Sequence, residues 1–124
     1  MGKTLALVAE DSPINQMLVT ELLEDLGVKV MLADNGLKAI ELCQAHQFSV
    51  IFMDLEMPVM GGHEATQSIR EQQLSFAPII ALTAHEKEGE LTQLKKSGFN
   101  GFLQKPINTL ELIRIIQAFT HPTR

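Results

Sequence analysis

The chain has 124 residues, 45% of them hydrophobic, and a formal net charge of -5. One domain suits that length, and the composition supports a packed core rather than disorder. The scattered basic residues, with Lys95-Lys96 the only adjacent pair, argue against direct nucleic-acid binding.

No apolar run approaches the roughly 18 residues of a membrane span, and no signal-peptide pattern opens the chain. The single cysteine, Cys43, rules out an intrachain disulfide and fits a reducing cytoplasmic setting. It falls on the apolar side of a predicted helix and reads as small core filler.

Residues 4–9 form a nearly unbroken apolar run, the mark of a central parallel strand buried on both faces. Ser12-Pro13 then reads as N-cap and first helical residue. That helix runs to about Leu26 and stops at Gly27. Residues 28–33 are a second strand, and Asp34-Asn35-Gly36 is a turn. Residues 37–45 carry Leu37, Ile40 and Leu42 at helical spacing, and residues 49–54 are a third, richly apolar strand. Residues 57–62 hold Pro58 and two glycines and form a loop. Residues 63–73 are a helix, residues 78–83 a fourth strand begun by its proline, and residues 86–97 a weakly apolar helix ending at Gly98. A short last strand, 101–104, precedes a final helix capped by Asn108, with Leu112, Ile115, Ile116 and Phe119 on one face. Strand and helix alternate throughout. The pattern predicts a single α/β domain, with a parallel sheet covered by helices on both faces and joined by right-handed crossovers.

Four apolar runs end in reactive polar groups: Glu10-Asp11, Asp54, Thr83, and Lys105 before Pro106. In a parallel sheet those ends gather at one edge, where open α/β sheets bind ligands. Asp54, rigid at the end of a buried strand, has the placement of a carboxylate nucleophile that forms an aspartyl-phosphate. It also has the placement of a turn-initiating Asp. Glu10 and Asp11 beside it repel unless a cation sits among them, and Mg²⁺ favours such oxygen ligands. Alone, the same two acids also suit the dipole of the helix opened by Ser12-Pro13. Lys105 is placed to pair with Asp54 or a phosphoryl oxygen as a point charge, and otherwise is a surface lysine. Thr83 offers a hydroxyl, and Ala84 leaves room for a ligand. By composition Phe102 is core.

These residues resemble a known family. Glu10-Asp11-Ser12-Pro13-Ile14-Asn15-Gln16, residues 53–62 (MDLEMPVMGG), Ala81-Leu82-Thr83-Ala84 and Lys105-Pro106-Ile107 look like the receiver domain of bacterial two-component systems. Glu64-Ala65-Thr66 and Ile69-Arg70 further resemble receivers attached to hybrid sensor histidine kinases. The resemblance implies a flavodoxin-like (βα)5 doubly wound sheet of order 2-1-3-4-5, an order carried over from the family. It implies that Asp54 takes a phosphoryl group from a phosphohistidine on a histidine kinase or a histidine phosphotransfer domain. Asp11, Asp54 and the Glu56 backbone carbonyl would ligate Mg²⁺, with Glu10 acting mainly through water. Lys105 and Thr83 would hold phosphoryl oxygens, Phe102 would be the aromatic switch, and the Lys105–Pro106 bond would be cis. Glu56 and His85 fall where the family tunes dephosphorylation. Gly61, Phe102 and Ser12 depart from the commoner family residues, and none removes a group the chemistry needs. Hybrid-kinase origin favours a segment of a longer protein, placed on the cytoplasmic side of a sensor.

On the first helix, Ile14, Met17, Leu18, Val19, Leu22, Leu23 and Leu26 spread over roughly 240° at 100° per residue, more than one sheet-facing stripe needs. Ile14 and Met17 are then either exposed for an apolar partner helix or buried by a second neighbour. Three other functions compete. A metal-dependent aspartyl-phosphate phosphatase wants its nucleophile on the first strand and a cap, which this short chain lacks. A nucleotide- or flavin-binding domain wants a phosphate loop where Glu10-Asp11-Ser12-Pro13 is anionic. A receiver-like interaction module without phosphorylation would have lost an acid or the lysine, and none is lost. The four histidines, His46, His63, His85 and His121, lack metal-ligand spacing and are assigned no catalytic role.

Overall fold

The computed structural model describes residues 4–84 and 88–120, with the side chains of 88–91 and 120 outside the description. Five parallel strands alternate with five helices: β1 Leu5–Ala9, α1 Pro13–Asp25, β2 Lys29–Ala33, α2 Gly36–Ala45, β3 Val50–Asp54, α3 Gly62–Glu71, β4 Ile79–Thr83, α4 Glu88–Ser97, β5 Gly101–Gln104 and α5 Thr109–Thr120. The sheet order is β2-β1-β3-β4-β5, and every pairing is parallel. This is the flavodoxin-like order the resemblance implied.

The three central strands are apolar because both of their faces are covered. Leu7, Ala9, Ile51, Met53, Ile79 and Ala81 point into one core, shared with Ala39, Ile40 and Cys43 of α2, Ala65 and Ile69 of α3, and Leu94 of α4. Ala6, Val8, Val50, Phe52, Ile80 and Leu82 point into the other, against Val19 and Leu23 of α1 and Leu112 of α5. Alternation along each strand thus feeds two apolar layers, which is what a doubly wound sheet requires.

Element ends differ from expectation by one or two residues, each for a local reason. Val28 leaves β2 because its N–H closes α1 by donating to Leu23 O at 3.0 Å. Pro78 leaves β4, although its carbonyl still accepts from Ile51 N. α3 stops at Glu71 rather than Gln73 because Gln73 turns to φ 56° and donates to Arg70 O, while Leu74 donates to Ile69 O. That is the left-handed helix stop usually given to glycine. The expected start of the fourth helix at Glu86, together with His85 and His121, lies outside the described residues.

Candidate functional site

β1 and β3 are neighbours, as are β3 and β4 and then β4 and β5, so the residues at or just beyond their carboxyl ends share one edge. Backbone bonds continue the ladder past the strands. Glu10 N donates to Ala33 O at 2.9 Å, Leu55 N to Leu82 O at 3.2 Å and Lys105 N to Thr83 O at 2.8 Å. Glu10, Asp54, Thr83 and Lys105 therefore leave from pinned backbone rather than from a loose loop. The loop after Asp54 doubles back tightly. Gly62 N donates to Leu55 O at 3.0 Å, and a Cβ at Gly62 would collide with the carbonyl oxygen of Asp54. α1 starts at the same edge, with Ser12 as N-cap accepting from Asn15 N at 3.3 Å.

These ends enclose an open cleft of about 450 Å³, lined by Glu10, Asp11, Asp54, Glu56, Thr83 and Lys105 among others. Asp54 is 4% exposed and Glu10 1%, whereas Asp11 is exposed. Lys105 Nζ bridges the two buried acids, 2.9 Å from Asp54 Oδ2 and 3.0 Å from Glu10 Oε1. Asp54 Oδ1 accepts from Glu56 N at 3.1 Å, and Glu10 Oε2 from Ser12 N at 3.0 Å. Gln16 Nε2 donates to the Glu10 carbonyl and ties α1 to the end of β1.

Burial pushes the Glu10 carboxyl above its ordinary range, helped by the Asp54 charge and opposed by the Ser12 N–H and Lys105. Burial pulls the Lys105 ammonium down, but its hydrogen bonds to Asp54 and Glu10 outweigh this and hold it above its ordinary value. The cluster contains three carboxylates and a single ammonium. Glu10, Asp11 and Asp54 each present one oxygen, all within 4.8 Å of one another. An all-oxygen donor set with surplus negative charge fits a hard divalent cation.

The cleft thus gathers six of the predicted site residues. It does not take in Phe102, which lies on β5 half-buried against the α2–α3 core and lines a separate groove with Ile115 and Ala118 of α5. Ile14 and Met17 stand on α1 at 75% and 60% exposure. The Lys105–Pro106 bond is cis. Sequence reasoning missed Asn15 as a cleft residue and the direct Glu10–Lys105 ion pair. Asn15 carried a signal, since it lies one helical turn after Asp11. The ion pair carried none, because it depends on how far β5 sits from β1.

A five-stranded parallel sheet with buried acids and a bridging lysine at its carboxyl edge has the architecture of two-component receiver domains. The chain belongs to the response regulator receiver domain family, which it matches over residues 6–117. It is 38% identical over 118 residues to the sensor histidine kinase GacS of Pseudomonas protegens, covering 92% of this chain but only 13% of that kinase. Among solved structures, it is 33% identical, with TM-score 0.86, to the receiver domain of the Pseudomonas aeruginosa sensor histidine kinase PA1611, described with a magnesium ion coordinated in the active-site cleft; the match covers 98% of this chain and 100% of that one. A Saccharomyces cerevisiae co-crystal of the phosphotransfer protein Ypd1 with the receiver domain of Ssk1 gives TM-score 0.90 at 30% identity, covering 95% of this chain and 89% of that one.

Proposed function

We propose that the chain is the phosphoacceptor of a phosphorelay, with Asp54 taking a phosphoryl group from a phosphohistidine on a histidine kinase or a histidine phosphotransfer domain. The observation that carries this is Lys105 Nζ at 2.9 Å from Asp54 Oδ2, at the mouth of a cleft in which Asp54 is otherwise buried. A carboxylate oxygen of Asp54 attacks phosphorus, the bond from phosphorus to the imidazole nitrogen breaks, and that nitrogen leaves. Such transfer depends on positioning and charge neutralisation more than on covalent work by the protein. Lys105 would turn from Asp54 to a phosphoryl oxygen, and the Thr83 hydroxyl would donate to another. Asp11, Asp54 and the Glu56 carbonyl would hold Mg²⁺, with Glu10 reaching it through water, and the ion would offset charge on the phosphoryl oxygens.

Acetyl phosphate with Mg²⁺ tests the assignment. One phosphoryl group is expected on Asp54, located by peptide mass mapping, and none on the Asp54→Asn variant. A label that persists on another residue refutes it.

The partner's approach falls to α1. Ile14 and Met17 are exposed at the cleft end of that helix, and an apolar surface there favours a partner helix. The Ypd1 complex of a structural relative supports a phosphotransfer domain as that partner. Met17→Glu is expected to slow transfer from a phosphorylated phosphotransfer domain about tenfold, the scale of one lost apolar contact. Labelling by acetyl phosphate should be unaffected. Equal slowing of both would place Met17 in the fold rather than the interface.

A further inference from the structure

The turn between β2 and α2 contributes no side chain to the cleft, yet it touches both of the segments that carry the acids. On one side, Glu10 N donates to Ala33 O at 2.9 Å. On the other, Gly36 N donates to Met60 O at 2.9 Å. Gly36 opens α2, so its N–H has no partner inside its own helix. β1 lies between β2 and β3, and two strand spacings are about 10 Å. Residues 33–36 therefore reach over the end of β1 and hold the Glu10-Asp11 and 54–62 segments in one frame.

The contact at Gly36 has room only for glycine. A Cβ there would stand 2.7 Å from Met60 O, 2.9 Å from Ala65 Cβ and 3.0 Å from Met60 Cγ. Its φ is not positive, so close approach rather than backbone freedom makes the demand. The loop it meets is strained. Met60 N donates to Pro58 O at 2.7 Å around Val59, whose φ is +69°. That is a γ-turn of the rare positive-φ kind, on a β-branched residue that disfavours it. Val59 is also 78% exposed, so packing of its own side chain does not hold it there. Such a conformation persists only where the surroundings impose it. Gly62 N closes the base of the loop on Leu55 O at 3.0 Å, and Gly36 fixes its tip. Between them lies Glu56, whose N–H donates to Asp54 Oδ1 and whose carbonyl is the third oxygen proposed for the cation.

We propose that Gly36 is a positioning residue for the cation. Its seat against Met60 holds the loop so that the oxygens of Asp11, Asp54 and Glu56 keep one fixed spacing. Fixed spacing discriminates between cations by size. Mg²⁺ demands near-octahedral donors at about 2.0–2.1 Å, whereas Ca²⁺ accepts about 2.3–2.6 Å in flexible arrangements. A loosened frame loses the smaller ion first. This proposal rests on the reading that Asp54 and Asp11 share a divalent cation.

Amide NMR titrations of the full chain with MgCl2 and with CaCl2, at constant ionic strength, test it through the ratio of the two Kd values. Gly36→Ala should raise the Mg²⁺ Kd about tenfold, the scale of losing a partner that orients a metal ligand, and the Ca²⁺ Kd by less than about threefold. Gly27→Ala is the control for lost stability. Gly27 has φ +82° with open space at its Cβ position, so alanine there strains the end of α1 without touching the cleft. Its ratio should match wild type. Met60→Ala keeps the backbone bond but removes the side chain packed on Gly36, and should shift the ratio in the same direction by a smaller factor. A ratio that stays at the wild-type value in Gly36→Ala, or in Met60→Ala should Gly36→Ala not fold, overturns the proposal. An equal shift in Gly27→Ala overturns it as well. Mg²⁺-dependent shifts that are absent from wild type, or identical in Asp54→Asn, remove the underlying reading instead.

Discussion

Two charged clusters in this molecule follow opposite rules. Around Asp54, three carboxylates face one ammonium, and two of the acids are buried. Around Arg70, one guanidinium meets only neutral acceptors, and it satisfies three of them at once. The second cluster is complete within the chain. Burial holds the Arg70 guanidinium below its ordinary value, yet at neutral pH it keeps its proton and its bonds. The first is short of positive charge, and among the described residues only Lys105 supplies any. Buried charge that is balanced and fully bonded holds a fold together. Buried charge left out of balance marks a place where something binds.

Lys105→Ala attacks this contrast most strongly. It leaves Glu10 and Asp54 facing each other without their shared cation and removes the charge proposed to meet the phosphoryl group. Labelling by acetyl phosphate should fall about 10²-fold or more, the scale of losing one preorganised donor to developing charge. A loss under threefold would show that Lys105 only neutralises the resting site. Arg70→Ala, at the balanced cluster, should leave the labelling rate within twofold.

Magnesium sharpens the contrast by stability rather than rate. An ion that binds only the folded chain stabilises it by about 1.4 kcal/mol at ten times its Kd. Thermal melts should show that gain for the wild type and for Arg70→Ala, and less than half of it for Asp54→Asn. Chelation should return the wild type to its ion-free melting point without unfolding it. An equal gain in all three proteins would place the ion somewhere other than the Asp54 cleft.

The two clusters were not equally legible in the sequence. Asp54, Glu10-Asp11, Thr83 and Lys105 each end or follow an apolar run, and the parallel topology that joins them follows from strict strand–helix alternation. Ser12 and Asn108 were readable as caps because capping is local; Asn108 Oδ1 accepts from Leu110 N and Glu111 N as expected. Arg70 was visible only as part of a family-like stretch. Its partners lie 5, 28 and 30 residues away, and two of them are backbone carbonyls, which leave no mark in composition or spacing. The breadth of the apolar surface on α1 was readable, but which of its residues face solvent was decided by its packing on the sheet. Only Val19 and Leu23 are buried, and Ile14 and Met17 are exposed.

Cys43 offers the smallest effect and a probe of the balanced cluster from within the core. It lies on α2, 4% exposed, in the apolar layer that also holds Ile69 of α3. Burial pushes its thiol up to about 11, and the Arg70 charge opposes that rise. The folded value lies above the ordinary 9.0, so the unfolded chain ionises first as the solution becomes alkaline. The thiol's contribution to stability is therefore whole below pH 9 and is lost as pH rises toward 11. Between about pH 9 and 10 the loss is at most about 1 kcal/mol, and Cys43→Ala should remove that part of the decline. Arg70→Ala takes away the one charge that favours the thiolate. In that variant the loss should extend to higher pH, with slower alkylation of Cys43 at a given alkaline pH. If alkylation instead speeds up, Arg70 screens the core from solvent more than it tunes the thiol, and the balanced cluster acts as a seal.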